Sequence, residues 1–339
     1  MDIGLLEQSI VRVDGKSQDA LAESLRLAQI AEEVGYSRIW VSEHHDSEAI
    51  AGSSPEVLLS AIGAATNTIR LGSGGIMLPH YSAFKVAENF ALLSNLYPGR
   101  VELGVGRAPG ADFKTAIALA TDGNPKFERF PDLVRELIEA LNNPKHSPQV
   151  SPPPLLPLPV WILGSSPDSA LLAAKLGLPY SVALFINPQF DPNIVGLYKK
   201  RFKPSARCPE PRVMLSTQIF AADTEDKAAA LSHAASLSFI RFVTRQGKPG
   251  TISLGEALNY RFSAEESLFV KKISASRVVG TLDQIQAQAS DLLKLYQADK
   301  MLAVCNAYDF QDRIRSFEIF ANAMGVTRKG ETLAKTAAA

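Results

Sequence analysis

The chain has 339 residues, 46% hydrophobic and 21% charged, with 35 basic and 35 acidic side chains and a formal net charge of zero. That composition supports a large globular core and removes any global electrostatic case for nucleic acid or an anionic membrane as a partner. Two cysteines, Cys208 and Cys305, form no metal-ligand spacing and suit a reducing cytosol. The segment MDIGLLEQSIVRVDG lacks the pattern of a secretory signal, and no run approaches the roughly 20 apolar residues of a membrane span, so a cytoplasmic protein is expected.

Short apolar runs alternate with stretches of helical period. Asp2 to Leu6 reads as the first strand. Ser17 stands as the cap of a helix with Leu21, Leu25, Ala28 and Ala31 on its apolar face, and Gly35 ends it at the C′ position. RIWVS (38–42) is the second strand. Ser54-Pro55 opens a second helix with proline at its first position, burying Leu58, Ala61, Ile62 and Ala65. IRLGSGGIML (69–78) is a third strand with glycines at its end, Ser82 caps a third helix through Val86, Phe90 and Leu93, and VELGVG (101–106) is the fourth strand. A polar excursion precedes a helix that starts near Pro131. The Pro-rich SPPPLLPLP (151–159) delivers the chain into VWIL (160–163), and Ser166-Pro167 opens a helix ended by Gly177. YSVALF (180–185), VMLSTQIFAA (213–222) and MLAVCN (301–306) complete eight strands, followed by a helix from about Phe310 to Met324.

Near-continuous apolar strands between helices specify a covered parallel sheet, and eight such units point to a closed (β/α)8 TIM barrel. Residues 1–325 are expected to form one domain, and the tail 326–339, with no large apolar residue after Leu333, to fray. The stretch 223–300, between strands seven and eight, breaks the rhythm. It holds a helix from Thr224, the polar patch RQGKPGTISLGE, and a helix capped by Thr281 with Gln284 three positions on. An insertion of this length on a barrel is expected to act as a lid or binding loop.

Barrel active sites form at the C-terminal ends of strands. There the chain carries Glu43-His44-His45, Ser73-Gly74-Gly75 with His80 beyond, Gly106-Arg107-Ala108-Pro109 and Gly164-Ser165-Ser166. Three readings of the histidine cluster stand. Metal ligation is disfavoured, because adjacent strand residues point to opposite sides and no third ligand is evident. The others are a hydrogen-bonded strand-end histidine, and acid–base work by one histidine that the neighbouring groups orient. The glycines of GSGG (72–75) lack the spacing of either nucleotide fingerprint. They read as a tight strand exit or as a place where a flat ligand approaches the backbone. GSSPDS (164–169) opens a helix whose free N–H groups, with the hydroxyls of Ser165, Ser166 and Ser169, suit a phosphate. Ser166 reads equally as an N-cap. Arg107 adds the fixed charge that a lone helix terminus lacks.

In order and spacing, RIWVSEHH, IRLGSGGIMLP, YPGRVELGVGRAPG and PVWILGSSPDSA, then FKPSAR (202–207), IFAAD (219–223) and VVGTLDQI (278–285), resemble the successive blocks of luciferase-like flavin monooxygenases. The short single-chain bacterial group is the nearest match, and the resemblance covers roughly 2–325. It implies a catalytic histidine at His44 preceded by Glu43, and a non-proline cis peptide beneath the flavin at Gly74-Gly75. It also implies a cofactor phosphate at Gly164, Ser165, Ser166 and Ser169, a flavin-contacting Arg107, and a lid within roughly 223–277. That lid segment has little similarity to the luciferase lid, so no light emission is expected. The implied activity is FMN-dependent monooxygenation of a small, apolar organic substrate by O2, in a pocket that shuts out water. No nicotinamide fingerprint is visible, so reduced FMN should come from a separate flavin reductase. No metal is implied. Family members pair through the second and third helices, which implies a homodimer or higher even oligomer. A deazaflavin-dependent dehydrogenase of the same barrel family and a non-catalytic flavin-binding protein are the competing readings, and the intact EHH argues against the second.

Overall fold

Strands covered on both faces should be apolar throughout, and β2 (Arg38–Val41) and β7 (Tyr180–Ala183) are buried at every position. In the computed structural model, which describes residues 2–326 apart from Pro109 and Thr121, they belong to a closed barrel. Its members in spatial order are β1 (Asp2–Glu7), β2, β3 (Arg70–Ser73) with its short continuation β4 (Ile76–Met77), β5 (Val101–Gly106), β6 (Val160–Gly164), β7, β8 (Val213–Ala221), whose far end carries the extra strand β9 (Val278–Gly280), and β10 (Lys300–Val304). β10 pairs with β8 on one side and β1 on the other, which closes the TIM barrel. Residues 327–339, most of the expected frayed tail, lie outside the described residues.

The helices α1 (Ser17–Val34), α2 (Pro55–Ala65), α3 (Ala83–Leu96), α4 (Phe113–Leu119), α5 (Phe130–Asn142), α6 (Pro167–Leu176) and α7 (Asn193–Arg201) alternate with the first strands. The insertion after β8 contributes α8 (Glu225–Thr244), α9 (Leu254–Leu258) and α10 (Ala264–Ile273), and α11 (Leu282–Leu295) and α12 (Phe310–Ala323) flank β10. Several expectations shift. The N-cap of α1 is Lys16, whose N–H donates to Asp19 Oδ2 at 3.2 Å, not Ser17. The buried face of α1 is Ala20, Ser24, Leu27, Ala28, Ala31 and Val34, because Ser24 donates to Glu7 inside the fold at 3.0 Å and turns the helix away from the apolar period. Likewise α2 buries Leu59, Ile62 and Gly63 and leaves Ala61 exposed, since the Tyr97 ring lies where a Cβ on Gly63 would stand. The third strand breaks into β3 and β4 at Gly74-Gly75, whose peptide is cis. The helices α4, α7, α9 and α10 and the strand β9 were not anticipated.

The register decides what fills the barrel. Level residues of a parallel ladder point the same way and alternate along each strand. Gly4 lies beside Arg38, Trp40 beside Gly72, Gly104 beside Trp161, and Leu302 beside Ser216. The interior cluster is Leu6, Trp40, Trp161, Met214, Leu302 and Val304, with Leu163 and Phe185 packed on it. Beneath it is an ionic floor. Arg38 bonds Asp2 at 2.8 Å and Glu102 at 3.1 Å, and Lys300 and Arg70 also reach Asp2. Burial alone would raise Asp2, but the bonds from Lys300, Ser37 and Arg38 hold it well below the usual carboxylate range. Above the floor, the Trp40 and Trp161 rings meet edge to face at 5.7 Å, and Trp40 Nε1 donates to Glu102 Oε2 at 2.8 Å.

This packing predicts opposite outcomes at two glycines. A Cβ on Gly72 would fall inside the Trp40 indole, whereas one on Gly196 in α7 meets nothing within 4 Å. Gly72→Ala should destabilise by about 1–3 kcal/mol or more, and Gly196→Ala should stabilise by up to about 1 kcal/mol. Urea unfolding midpoints check both, and an unchanged midpoint for Gly72→Ala would contradict the packing.

Candidate active site

Continuing the inward alternation past the strand ends sets Gln8, His44, Gly74, Gly106, Ser165, Phe185, Gln218 and Asn306 around one mouth. Asn306 Nδ2 donates to Gln8 Oε1 at 3.2 Å across two neighbouring strand ends. Neither residue was singled out from the sequence, although counting in twos from Leu6 and Val304 reaches both.

The histidine cluster divides by strand alternation. Glu43, wholly buried, faces away from the mouth. Its Oε1 accepts from the Tyr81 hydroxyl at 2.7 Å and lies 2.8 Å from His45 Nε2, and its Oε2 accepts from the Met77 N–H at 3.0 Å. Burial, reinforced by this carboxylate, pushes the Tyr81 hydroxyl well above its ordinary range. Expected as the catalytic companion of His44, Glu43 instead directs its bonds to His45, Tyr81 and Met77, tying the end of β2 to β4. His44 lies on the mouth side. Its Nδ1 stands 3.2 Å from Ser42 Oγ, its backbone N–H donates to Gly52 O at 2.9 Å, and its other ring nitrogen makes no hydrogen bond among the described residues. His80 is buried in ring packing, edge-on to His45 at 6.1 Å and to Phe127 at 5.8 Å.

On the far rim, Ser166 caps α6, with Ser169 N–H donating to its Oγ at 3.5 Å and Ser169 Oγ donating to Ser166 O at 2.7 Å. Gly164 is required in this turn, since a Cβ there would overlap Ser169. Asn187, not foreseen, donates to Ser165 O at 3.2 Å and braces the loop. The Ser165 hydroxyl makes no hydrogen bond among the described residues. Val105 beside Ile162 carries the register outward so that Arg107 emerges level with Gly164. Arg107 is exposed and has no hydrogen bond or ion pair among the described residues. Pro109, next along, is outside them. Among the described residues no group of three or more His, Cys, Asp or Glu could hold a metal, and no helix is long and apolar enough to cross a membrane.

The profile of the luciferase-like monooxygenases matches residues 1–296. The chain belongs to the luciferase-like monooxygenase family. It is 36% identical to a luciferase-like monooxygenase of Escherichia coli, over 93% of this chain and 94% of that protein. It is 32% identical to the N-acetyl-S-alkylcysteine monooxygenase of Bacillus subtilis, over 95% and 98% respectively. The crystal structure of apo-MsnO8 superposes with a TM-score of 0.88 at 31% identity, covering 97% of this chain and 99% of that one. More distant structures share the fold. One is the oxygenating constituent of 3,6-diketocamphane monooxygenase from a Pseudomonas putida plasmid, in complex with FMN (TM-score 0.71, 18% identity, 96% and 98% covered). Another is an F420-dependent secondary alcohol dehydrogenase (TM-score 0.65, 17% identity, 95% and 98% covered).

In this luciferase-like site, burial holds the His44 pKa below its ordinary 6.5, against the pull of Glu43 and helped by His45. A base whose folded pKa is depressed contributes stability that is complete above its unfolded value and is lost as pH falls through the folded value. His44 should therefore be neutral at pH 7, and its NMR titration midpoint should lie below 6.5. A midpoint above that value would contradict the geometry.

Proposed function

We propose that this luciferase-like protein is an FMN-dependent monooxygenase that takes reduced FMN from a separate flavin reductase and uses O2 to oxygenate a small organic substrate. One observation carries the reading. A single barrel mouth combines a platform without side chains at Gly74–Gly75, the N-terminus of α6 with the unengaged Ser165 hydroxyl and Arg107 beside it, and His44 with an unengaged ring nitrogen.

The residues suit FMN, a planar ring joined to a phosphate. Gly74 rests on Leu6 and Trp40, where a Cβ would lie 2.5 Å from Leu6 Cδ1, so the backbone itself is the surface offered to a ring. At Gly106 a Cβ would touch only Met77, at 3.8 Å, which leaves that flank open. The α6 N-terminus, the Ser165 hydroxyl and the Arg107 guanidinium would hold the phosphate. When bound, reduced FMN supplies the activation of O2. The chain supplies position, dryness and a proton site. His44, kept neutral by burial and oriented through Ser42, would hold or give a proton at the reacting oxygen. The insertion from α8 onward covers the β8 side of the mouth, where α8 reaches across to Gln218 through Arg277, and limits the entry of water. The Bacillus subtilis relative acts on N-acetyl-S-alkylcysteine, which makes N-acylated thioethers the first class to screen.

The same reading includes a homodimer. Val57, Leu92 and Leu96 on α2 and α3 are 68%, 50% and 55% exposed, a run of apolar surface suited to a second copy. Light scattering at micromolar concentration should give a multiple of the 36.6 kDa chain mass, and a monomer would contradict it.

Two substitutions test the cofactor and proton roles. Arg107→Ala should weaken FMN by about 1.5–3 kcal/mol, the range for hydrogen bonds to charged groups, and riboflavin by less. Equal losses for both would move Arg107 from the phosphate to the ring or the fold. His44→Ala should leave FMN affinity intact and cut coupled product formation by about 10²–10⁴-fold. Full activity at saturating reduced flavin would remove His44 from the chemistry.

A further inference from the structure

β9 extends the wall of the barrel above its rim. Val278 pairs beside Ile219, which sets the preceding residue, Arg277, level with the inward-facing Gln218. The Arg277 side chain lies on that same face. Its Nε donates to Gln218 Oε1 at 2.7 Å. Its Nη1 donates to Ser236 Oγ at 2.6 Å, Ser232 Oγ at 3.2 Å and Ser232 O at 3.1 Å, all on α8. Its guanidinium stands over the Phe220 ring, 5.5 Å from the centroid. All these partners are neutral, and no carboxylate pairs with Arg277 among the described residues.

The two arginines buried most deeply among the described residues are neutralised. Arg38 has Asp2 and Glu102, and Arg313 has Glu7 and Glu23. Arg100 has no carboxylate in contact, but it bonds the carbonyls of Gly63 and Thr66 at the negative end of α2. Arg277 has neither kind of compensation. Burial pushes its pKa down to about 10, so it stays charged at neutral pH. A buried cation met only by neutral dipoles carries desolvation cost that an anion would offset. Its Nη2 makes no hydrogen bond among the described residues. A neutral donor would be enough to tie α8 to β8. A fixed cation with one nitrogen, Nη2, unspent can donate a charge-assisted hydrogen bond to a carboxylate.

We infer that Arg277 anchors a carboxylate on the substrate, which deepens the reading of this mouth as the substrate site of a flavin monooxygenase and rests on it. The apolar substrate expected from the sequence becomes an acid with an apolar body. Its head lies at Arg277 and its body extends over the mouth, where Phe185 is half-buried. Phe220, wholly buried beneath Arg277, supports the anchor instead of lining the pocket.

Calorimetric titration tests this with short-chain fatty acids and N-acetyl-S-alkylcysteines, each paired with its primary amide, added to the protein with and without FMN. At least one acid should bind about ten-fold or more tightly than its amide, the scale of a charge-assisted hydrogen bond. Arg277→Gln should abolish that preference and leave the affinities for amides and for FMN unchanged. Arg277→Lys keeps the charge but not the fixed position that the bonds to Gln218 and Ser236 give the guanidinium, so it should retain part of the preference, and it serves where the glutamine variant does not fold. The inference is overturned if no acid outbinds its amide, if Arg277→Gln keeps the preference, or if FMN affinity falls together with acid affinity, which would assign Arg277 to the flavin. Failure of the flavin reading is separable: wild-type protein would then bind no FMN, while the titrations without FMN still report on Arg277.

Discussion

The width of an eight-stranded barrel matches the side chains that must fill it, and in this chain one indole sets the terms. Trp40 lies across the interior, edge-on to Trp161, with its Nε1 bonded to Glu102. Against its ring, β3 and β5 can carry only glycine at positions 72 and 104. A Cβ at Gly72 would enter the indole, and a Cβ at Gly104 would meet both Trp40 and the backbone of Ser73. Glu102 in turn bonds Arg38, so the indole joins the ionic floor at one end of the barrel to the glycine platform at the other. Gly74 rests directly on Trp40 and Leu6. The flat surface offered at the mouth is therefore a consequence of how the interior is filled.

Charge placement follows the same alternation. Residues pointing inward at the base pair with one another, the carboxylates of Asp2 and Glu102 being shared among Arg38, Arg70 and Lys300. At the mouth the alternation separates adjacent histidines. His45 turns outward to Glu43, whose remaining acceptors go to Tyr81 and Met77, and His44 turns inward with one ring nitrogen unengaged. On the rim, Arg107 and Arg277, neither with an ion pair among the described residues, stand at two separate parts, above β5 and beside β9. Two separated cations suit two anionic groups, a cofactor phosphate and a substrate acid, with a neutral histidine available to both.

Much of this was legible in the residues. Eight apolar runs, their order and the capping by Ser82, Ser166 and Thr281 are all present in the fold, because each rests on local chemistry: a period, a cap or a glycine stop. The features that escaped depend on partners distant in sequence. Ser24 is buried because Glu7 awaits it, and Gly63 because Tyr97 lies over it, and neither pairing is visible along the chain. Adjacency in sequence suggested that Glu43 serves His44, whereas a two-residue period gives it to His45. Arg277 directly precedes the block VVGTLDQI, and a lone arginine before a short strand reads as surface. Its significance comes from what surrounds it and from the carboxylate that is not there.

The most direct test of the account is a crystal structure of the chain soaked with FMN. The account predicts the ring over Gly74–Gly75 within reach of His44, and the phosphate at the turn from Ser165 to Ser169 beside Arg107. A flavin found elsewhere would contradict it. The rival location is the cavity of about 430 Å³ at the opposite end of the barrel, lined by Arg38, Arg207, Arg212 and Lys300. A phosphate held there, with the mouth left to solvent, would remove the basis for reading the mouth as the catalytic site.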